Sequence, residues 1–250
     1  MNSSISSLRR GLLLTAFALI ASLAVSAAET FEGRIHMRMT AGKKDSTAID
    51  YSMKDGKIRM DIPKDPSNRE AAGMGGIIMD IPHQEMIILI ESDGQKMFMR
   101  RSLAQTMTKA NEQSEGTHRG AVGSPPVATG RTEMIAGYPA KEYIYTGEKG
   151  NKSELWLASG LGTFMAPMSG SPMGGRGGSA APAGWENFAR DGGGFPLRVV
   201  TRDAKGVEQA RMEVTKIEKT HLPDSLFSTD GYSEFSIPGM GAGGFNPFKR

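Results

Sequence analysis

The stretch from Arg131 to Ala158, RTEMIAGYPAKEYIYTGEKGNKSELWLA, limits the possible folds more than any other part of the chain. Glu142/Ile144 and Tyr143/Tyr145 take opposite faces, as do Leu155/Leu157 and Trp156, because successive side chains of an extended strand point to opposite sides. Ala136-Gly137-Tyr138-Pro139 and Glu148-Lys149-Gly150-Asn151 interrupt these runs, and Gly and Asn supply the left-handed backbone that tight hairpin turns need. The stretch therefore reads as three strands of an antiparallel meander.

The same alternation fills the N-terminal half. Ile35, Met37 and Met39 alternate with Arg34, His36 and Arg38, the pattern of a strand with one wet face. Ile49, Tyr51 and Met53 share a face. Asp55-Gly56 then turns the chain into Ile58, Met60 and Ile62, and Asp-Gly between alternating runs is a strong hairpin signal. After a polar loop from Pro63 to Gly75, strands are expected at Gly76 to Ile81, Met86 to Glu91 and Lys96 to Arg100, the last with Met97 and Met99 on one face. Leu103, Met107 and Ala110 change to helical spacing, which predicts a short amphipathic helix within Arg101 to Gln113. Ser114 to Gly130 reads as a connector. Beyond the central meander, Gly160 to Met165 reads as a loop or one helical turn laying Leu161, Phe164 and Met165 over the sheet. Ala166 to Gly184 is low-complexity sequence expected to form a surface flap or remain disordered. Trp185 to Arg190 predicts one helical turn, Phe195 to Arg202 and Glu208 to Lys219 a hairpin about Lys205-Gly206, and Leu222 to Phe227 a short helix with proline in its first turn. The fold class expected is mainly β: a curved antiparallel sheet or half-barrel of about ten strands, with a few short helices on its concave side.

Residues 1–28 have the three parts of a secretory signal: Arg9-Arg10, an apolar core from Gly11 to Leu23, and a small-residue exit ending at Ala27 or Ala28. That core is short of the roughly 20 residues a membrane-spanning helix requires, so export to the periplasm or beyond is expected, with no transmembrane span in the processed chain. No cysteine follows it, so lipid attachment is not expected. The chain has no cysteine at all, which removes disulfides and thiolate metal sites. Of 30 Lys+Arg, two leave with the signal, and the remaining 28 nearly match the 27 Asp+Glu. This balance gives no basic face for nucleic acid. The expected organisation is one β-rich domain over 29–236, with inserts at 114–130 and 166–184, and a Gly/Met-rich tail over 237–250.

Seventeen methionines form the compositional oddity. Methionine is flexible and polarizable and is over-used where a surface accepts varied apolar partners, although it also fills gaps in ordinary cores. The groove-lining candidates are Met37, Met39, Tyr51, Met53, Met60, Met97, Met99 and Trp156. A soft-metal reading uses Met37/Met39 or Met97/Met99 with His36, since thioethers favour Cu(I). His36, however, points away from Met37 and Met39 on an alternating strand. His36, His83, His118 and His221 lack metal-ligand spacing, and no nucleophile elbow, P-loop or dinucleotide fingerprint occurs in a suitable context. Gly239 to Gly244 is glycine-rich but has no strand before it. Asp61, Asp80, Glu142 and Glu154 are strand carboxylates expected to face solvent. No catalytic residues, metal or cofactor are expected.

Phe31-Glu32-Gly33, Met60-Asp61, Ile135-Ala136-Gly137-Tyr138, Glu154-Leu155-Trp156, Gly160 to Met165, Phe195-Pro196-Leu197 and Leu222 to Phe227 occur in an order that resembles the bacterial domain-of-unknown-function family numbered 4412. The likeness spans nearly all of the processed chain. It implies a fold similar to the periplasmic lipoprotein carriers LolA and LolB, a half-open sheet around helices with a greasy cavity, and brings no catalytic residues. Three functional readings follow: a non-catalytic carrier or binding module for a lipid or acyl chain, a structural protein that docks envelope proteins, and a methionine-based copper protein.

Overall fold

A computed structural model describes residues 31–41, 46–61, 74–92, 94–108, 125–147, 150–165 and 185–235. The segment expected to be an export signal, the Ala166 to Gly184 insert, the Gly-rich tail beyond residue 235, His118 and most of the Ser114 to Gly130 stretch lie outside the described residues.

Twelve strands form one open, curved sheet. They are β1 (Gly33–Ala41), β2 (Thr47–Lys54), β3 (Lys57–Asp61), β4 (Met74–Asp80), β5 (Glu85–Ser92), β6 (Gln95–Ser102), β7 (Val127–Ile135), β8 (Tyr138–Thr146), β9 (Lys152–Ala158), β10 (Phe195–Arg202), β11 (Glu208–Lys219) and β12 (Ser233–Glu234). The spatial order β12-β6-β5-β4-β3-β2-β1-β11-β10-β9-β8-β7 lays two sequential meanders side by side, joined where β1 pairs with β11. Asp55 and Gly56 (φ 50° and 73°) and Ala136 and Gly137 (φ 49° and 84°) take the left-handed backbone that lets two-residue hairpins follow the strand twist.

The curved, mainly β sheet expected from sequence is the one found, with twelve strands; the short β12 adds to its edge and pairs with β6 in parallel while the other pairs are antiparallel. Two local expectations need correction. Strand β7 begins at Val127, so Val127 to Gly130 is sheet rather than connector. Strand β6 runs through Ser102, and the helix, α1, covers residues 103–108, because Arg101 and Ser102 complete the ladder opposite Met86 and Glu85 before the chain leaves the sheet.

One face carries the main apolar cluster. It takes in Leu103 with Met107 of α1, the segment Leu161 to Met165, and Trp185 and Ala189, which belong to α2 (Trp185–Phe188) and the kinked turn Ala189–Gly193 that follows it. The opposite face of β4–β6 carries a second cluster, Ile78, Ile87, Leu89 and Phe98, capped by Leu222 and Phe227. The sequence announces the short helix of that cap, found as one tight turn at Asp224–Phe227 preceded by Pro223, but not the cluster on which it packs. Lys54 ties this strap down by donating to the Leu222 carbonyl at 2.8 Å and pairing with Asp224 at 2.6 Å. The Leu222 amide donates to Glu32 at 2.7 Å, and Arg59 donates to the Leu226 carbonyl at 2.9 Å.

The central strands are also clamped by His36 on β1. Its Nδ1 stands 2.7 Å from Asp50 of β2, and its Nε2 stands 3.1 Å from Glu218 of β11. The hydrogen bond to Glu218 raises the imidazole above its usual value, with Asp50 adding to it against partial burial. Lys216, ahead of His36, holds the Glu218 carboxyl down at about 2. Because the folded state favours the charged imidazole, its contribution is complete below the unfolded value of 6.5 and is lost as pH rises through the folded value. The protein is therefore expected to melt at a higher temperature at pH 6 than at pH 8.5. His36→Gln should shrink that difference, as followed by circular dichroism; an unchanged difference in the variant would place the dependence elsewhere.

Candidate functional site

Cross-strand partners share a face of a sheet, so the register shows which side chains meet. Met99 pairs with Ile88, Ile88 with Ile77, Ile77 with Met60, Met60 with Tyr51, Tyr51 with Ile35 and Ile35 with Ile217. This row of apolar side chains crosses seven adjacent strands. Parallel rows flank it: Met86, Met79, Ile58 and Met53 on one side, and Leu155, Val199, Met212 and Met39 on the other.

At the centre the face is filled. Tyr51 is fully buried, and its hydroxyl donates to the Met165 carbonyl. Its ring lies 6.3 Å from Phe164 in a stacked arrangement and 6.1 Å from Phe195 edge-on, while Phe164 also stacks on Trp185 at 6.0 Å. Spacings of this kind suit aromatic pairs. Gly162 (φ 78°) brings the loop so close to the Met53 methyl that a Cβ would stand 2.7 Å from it. Burial pushes the Tyr51 phenol far up, which leaves it a proton donor at any physiological pH.

Toward β5 and β6 the face opens. Ile88, Ile90, Met97 and Met99 are half-buried, as is Met107 of α1. Arg101 continues the phase of Met97 and Met99 and stands opposite Met86; its Nη2 lies 3.6 Å from the Met99 sulfur, and its Nε is buried without a hydrogen-bond partner.

Of the eight candidates named from sequence, Met37, Tyr51, Met53, Met60 and Trp156 fall in one buried cluster, with Met39 packed against it. Met97 and Met99 lie in the half-open part, opposite Ile90 and Ile88. Trp156 is in register with Glu142 and Arg198, the alternate phase to Leu155. Its Nε1 donates to Glu154 at 3.0 Å, and the Arg131 guanidinium sits 5.3 Å from its ring centre.

The carboxylates depart from expectation. Glu142 is 3% exposed rather than facing solvent, because the Thr129 hydroxyl donates to it at 2.5 Å and Arg131 Nε lies 3.2 Å away. Asp80 is buried too, and it accepts from the His83 amide and Nδ1 at 3.1 and 2.8 Å. Asp61 is gripped by Arg59 at 2.8 Å. His36, the nitrogen ligand of the copper reading, is engaged by its two carboxylates, and among the described residues no three His, Asp or Glu side chains gather as a metal site. Phe164 covers the sheet as the sequence predicts, whereas its aromatic neighbours Trp185 and Phe195 in that cover and the inward Arg101 were not picked out from sequence. Arg101 could have been found by extending the Met97/Met99 alternation one step further.

The fold and this face describe a mainly β protein whose sheet exposes part of an apolar surface. The chain belongs to the family described as Domain of unknown function (DUF4412), matched over residues 31–230. No curated protein matches it. Among solved structures it is similar to PNGF-II (15% identity, TM-score 0.43), with 81% of this chain covering 30% of that one, so it spans less than a third of PNGF-II's length. An uncharacterized conserved protein from Thermus thermophilus aligns at 11% identity and TM-score 0.42, over 83% of this chain and 91% of that one. A LolA superfamily protein from Nitrosomonas europaea aligns at 17% identity and TM-score 0.30, over 81% and 91%. Among the described residues no helix is long and apolar enough to cross a membrane.

Tyr51→Phe keeps the ring in place but strips the Met165 carbonyl of its donor. The expected cost is about 1–2 kcal/mol, against roughly 3–5 kcal/mol for Tyr51→Ala, which also empties the aromatic cluster. Urea unfolding of the two variants checks the difference; equal losses would show that the hydroxyl is not what anchors the Leu161 to Met165 segment.

Proposed function

We propose that the protein is an exported, non-catalytic binding or carrier module for an apolar ligand, a lipid or acyl chain, working in the periplasm after residues 1–28 are removed. The observation that carries this reading is the row from Met99 to Ile217, buried under Phe164 and Trp185 at its centre and half-open at β5 and β6. A monomer gains nothing by leaving Ile88, Ile90, Met97 and Met99 partly wet, since burying a large apolar side chain stabilises by about 1.5–3 kcal/mol. An acyl chain laid on that end supplies the missing burial. Methionine suits the task because its unbranched thioether re-packs around varied shapes. The eight candidates then divide: Met97 and Met99 touch the ligand first, Met37, Met39, Tyr51, Met53 and Met60 form the wall behind, reached when the Leu161 to Met165 segment yields, and Trp156, in the alternate phase, stays out of the ligand's path.

A second reading has its own observation. Strand β7 is a sheet edge on which Val127 and Met134 are 66% and 64% exposed. Unpaired edge strands are templates for a partner's strand, so docking an envelope protein there is the alternative function.

Native mass spectrometry of the protein purified from the periplasmic fraction without detergent separates the two. The carrier reading expects an added mass that organic solvent extracts as a lipid or fatty acid. A clean unliganded mass, together with co-purification of a protein that Met134→Lys abolishes, would replace it with the edge-docking reading.

A further inference from the structure

Arg101 stands out among the methionines of the half-open end. Arg59, Arg198 and Arg211 are also half-buried, and each grips a carboxylate, at 2.8, 3.0 and 2.9 Å. Arg101 has no such partner among the described residues. Its Nε is buried and unmatched, and its polar contact is with the Met99 thioether, a weak acceptor. A guanidinium does not lose its proton in a protein, and a buried donor left unmatched is destabilising. The sequence nevertheless places this cation in phase with Met99 and Met97 on the half-open side of β6.

We propose that Arg101 is the head-group clamp of this face, holding the carboxylate of a long-chain fatty acid whose tail runs along Met99 and Met97 toward Ile90. The inference rests on the apolar-ligand reading above and adds to it the ligand's charge and direction. Charge complementarity supports it: a planar guanidinium matches a carboxylate through two parallel N–H donors, and a monoanion neutralises the cation that the described residues of this end leave unmatched. From Arg101 to Met97 the strand supplies ~13 Å of apolar track at about 3.3 Å per residue. The tail thereby covers Met97, Met99, Ile88 and Ile90, the side chains left half-buried.

The test is isothermal titration calorimetry of the purified protein and its Arg101→Met and Arg101→Lys variants with dodecanoate and dodecyl phosphate below their micellar concentrations and dodecan-1-ol below its solubility limit. The unaltered protein is expected to bind dodecanoate at least about tenfold more tightly than dodecan-1-ol. Arg101→Met should remove that preference by weakening the acid alone, and Arg101→Lys should restore part of it. Because Arg101→Met removes an unmatched cation from an apolar surface, the variant should melt no lower than its parent; a lower melting temperature would assign the guanidinium a structural role and overturn the clamp. Equal affinity for acid and alcohol, or a preference that survives in Arg101→Met, overturns the clamp and leaves the apolar-ligand reading standing. Tighter binding of dodecyl phosphate than of dodecanoate overturns the fatty-acid assignment in favour of a phosphate head group. Failure of all three probes to bind overturns the clamp together with the reading beneath it.

Discussion

The row of cross-strand partners from Met99 through Ile88, Ile77, Met60, Tyr51 and Ile35 to Ile217 sets the arrangement of the rest of the molecule. It joins the two meanders across the β1–β11 pair and defines which side of the sheet is apolar. A slip of one residue at any pair would send the remaining side chains to the wrong face. His36 guards against such a slip at the join, because its ring reaches a carboxylate on each neighbouring strand at once. Tyr51 guards the centre, where one phenol fills the row and fixes the covering loop through the Met165 carbonyl.

The two faces of the sheet have different tasks. Behind β4–β6, Leu222 and Phe227 close a small second cluster, and a set of directional contacts from Lys54, Arg59 and Glu32 holds the strap in place. Tyr232 adds a hydrogen bond to Glu91 at 2.5 Å, and the Phe235 amide one to the Phe98 carbonyl at 2.8 Å. The front face has no comparable strap over β5 and β6 among the described residues, and its half-buried side chains are flexible methionines and isoleucines. That contrast between a latched back and a soft front is what makes the front the candidate for binding. The charged side chains near Trp156 are, by the same measure, structural: Glu142, Glu154, Glu133 and Glu213 each hold a specific partner.

Much of the sheet is legible in the sequence because the signals are local. Asp55-Gly56 and Ala136-Gly137 announce their hairpins, and the alternation of Ile49, Tyr51 and Met53 or of Met97 and Met99 announces shared faces. The features that escape are those set by distant partners. The β1–β11 pairing joins residues such as Ile35 and Ile217, far apart in the chain, and no turn residue specifies it. Glu142 reads as a surface carboxylate until Thr129 and Arg131 on β7 enclose it. The short helix of the strap is announced by its proline, but the second cluster on which it packs is not, and β12 is too short to leave an alternation. Arg101 lies at the point where strand period gives way to helical period, so its side of the sheet depends on where β6 ends.

The central claim is that the β5–β6 end of the front face is where a ligand first touches the protein. Carbon-13 methyl spectra of methionine-labelled protein, assigned by single Met→Leu changes, test it directly during titration with an acyl-chain ligand. The account predicts that the Met97, Met99 and Met107 methyls shift while Met134, on the exposed edge strand, stays where it was. Shifts confined to Met134, or no shift at any methionine, would contradict it.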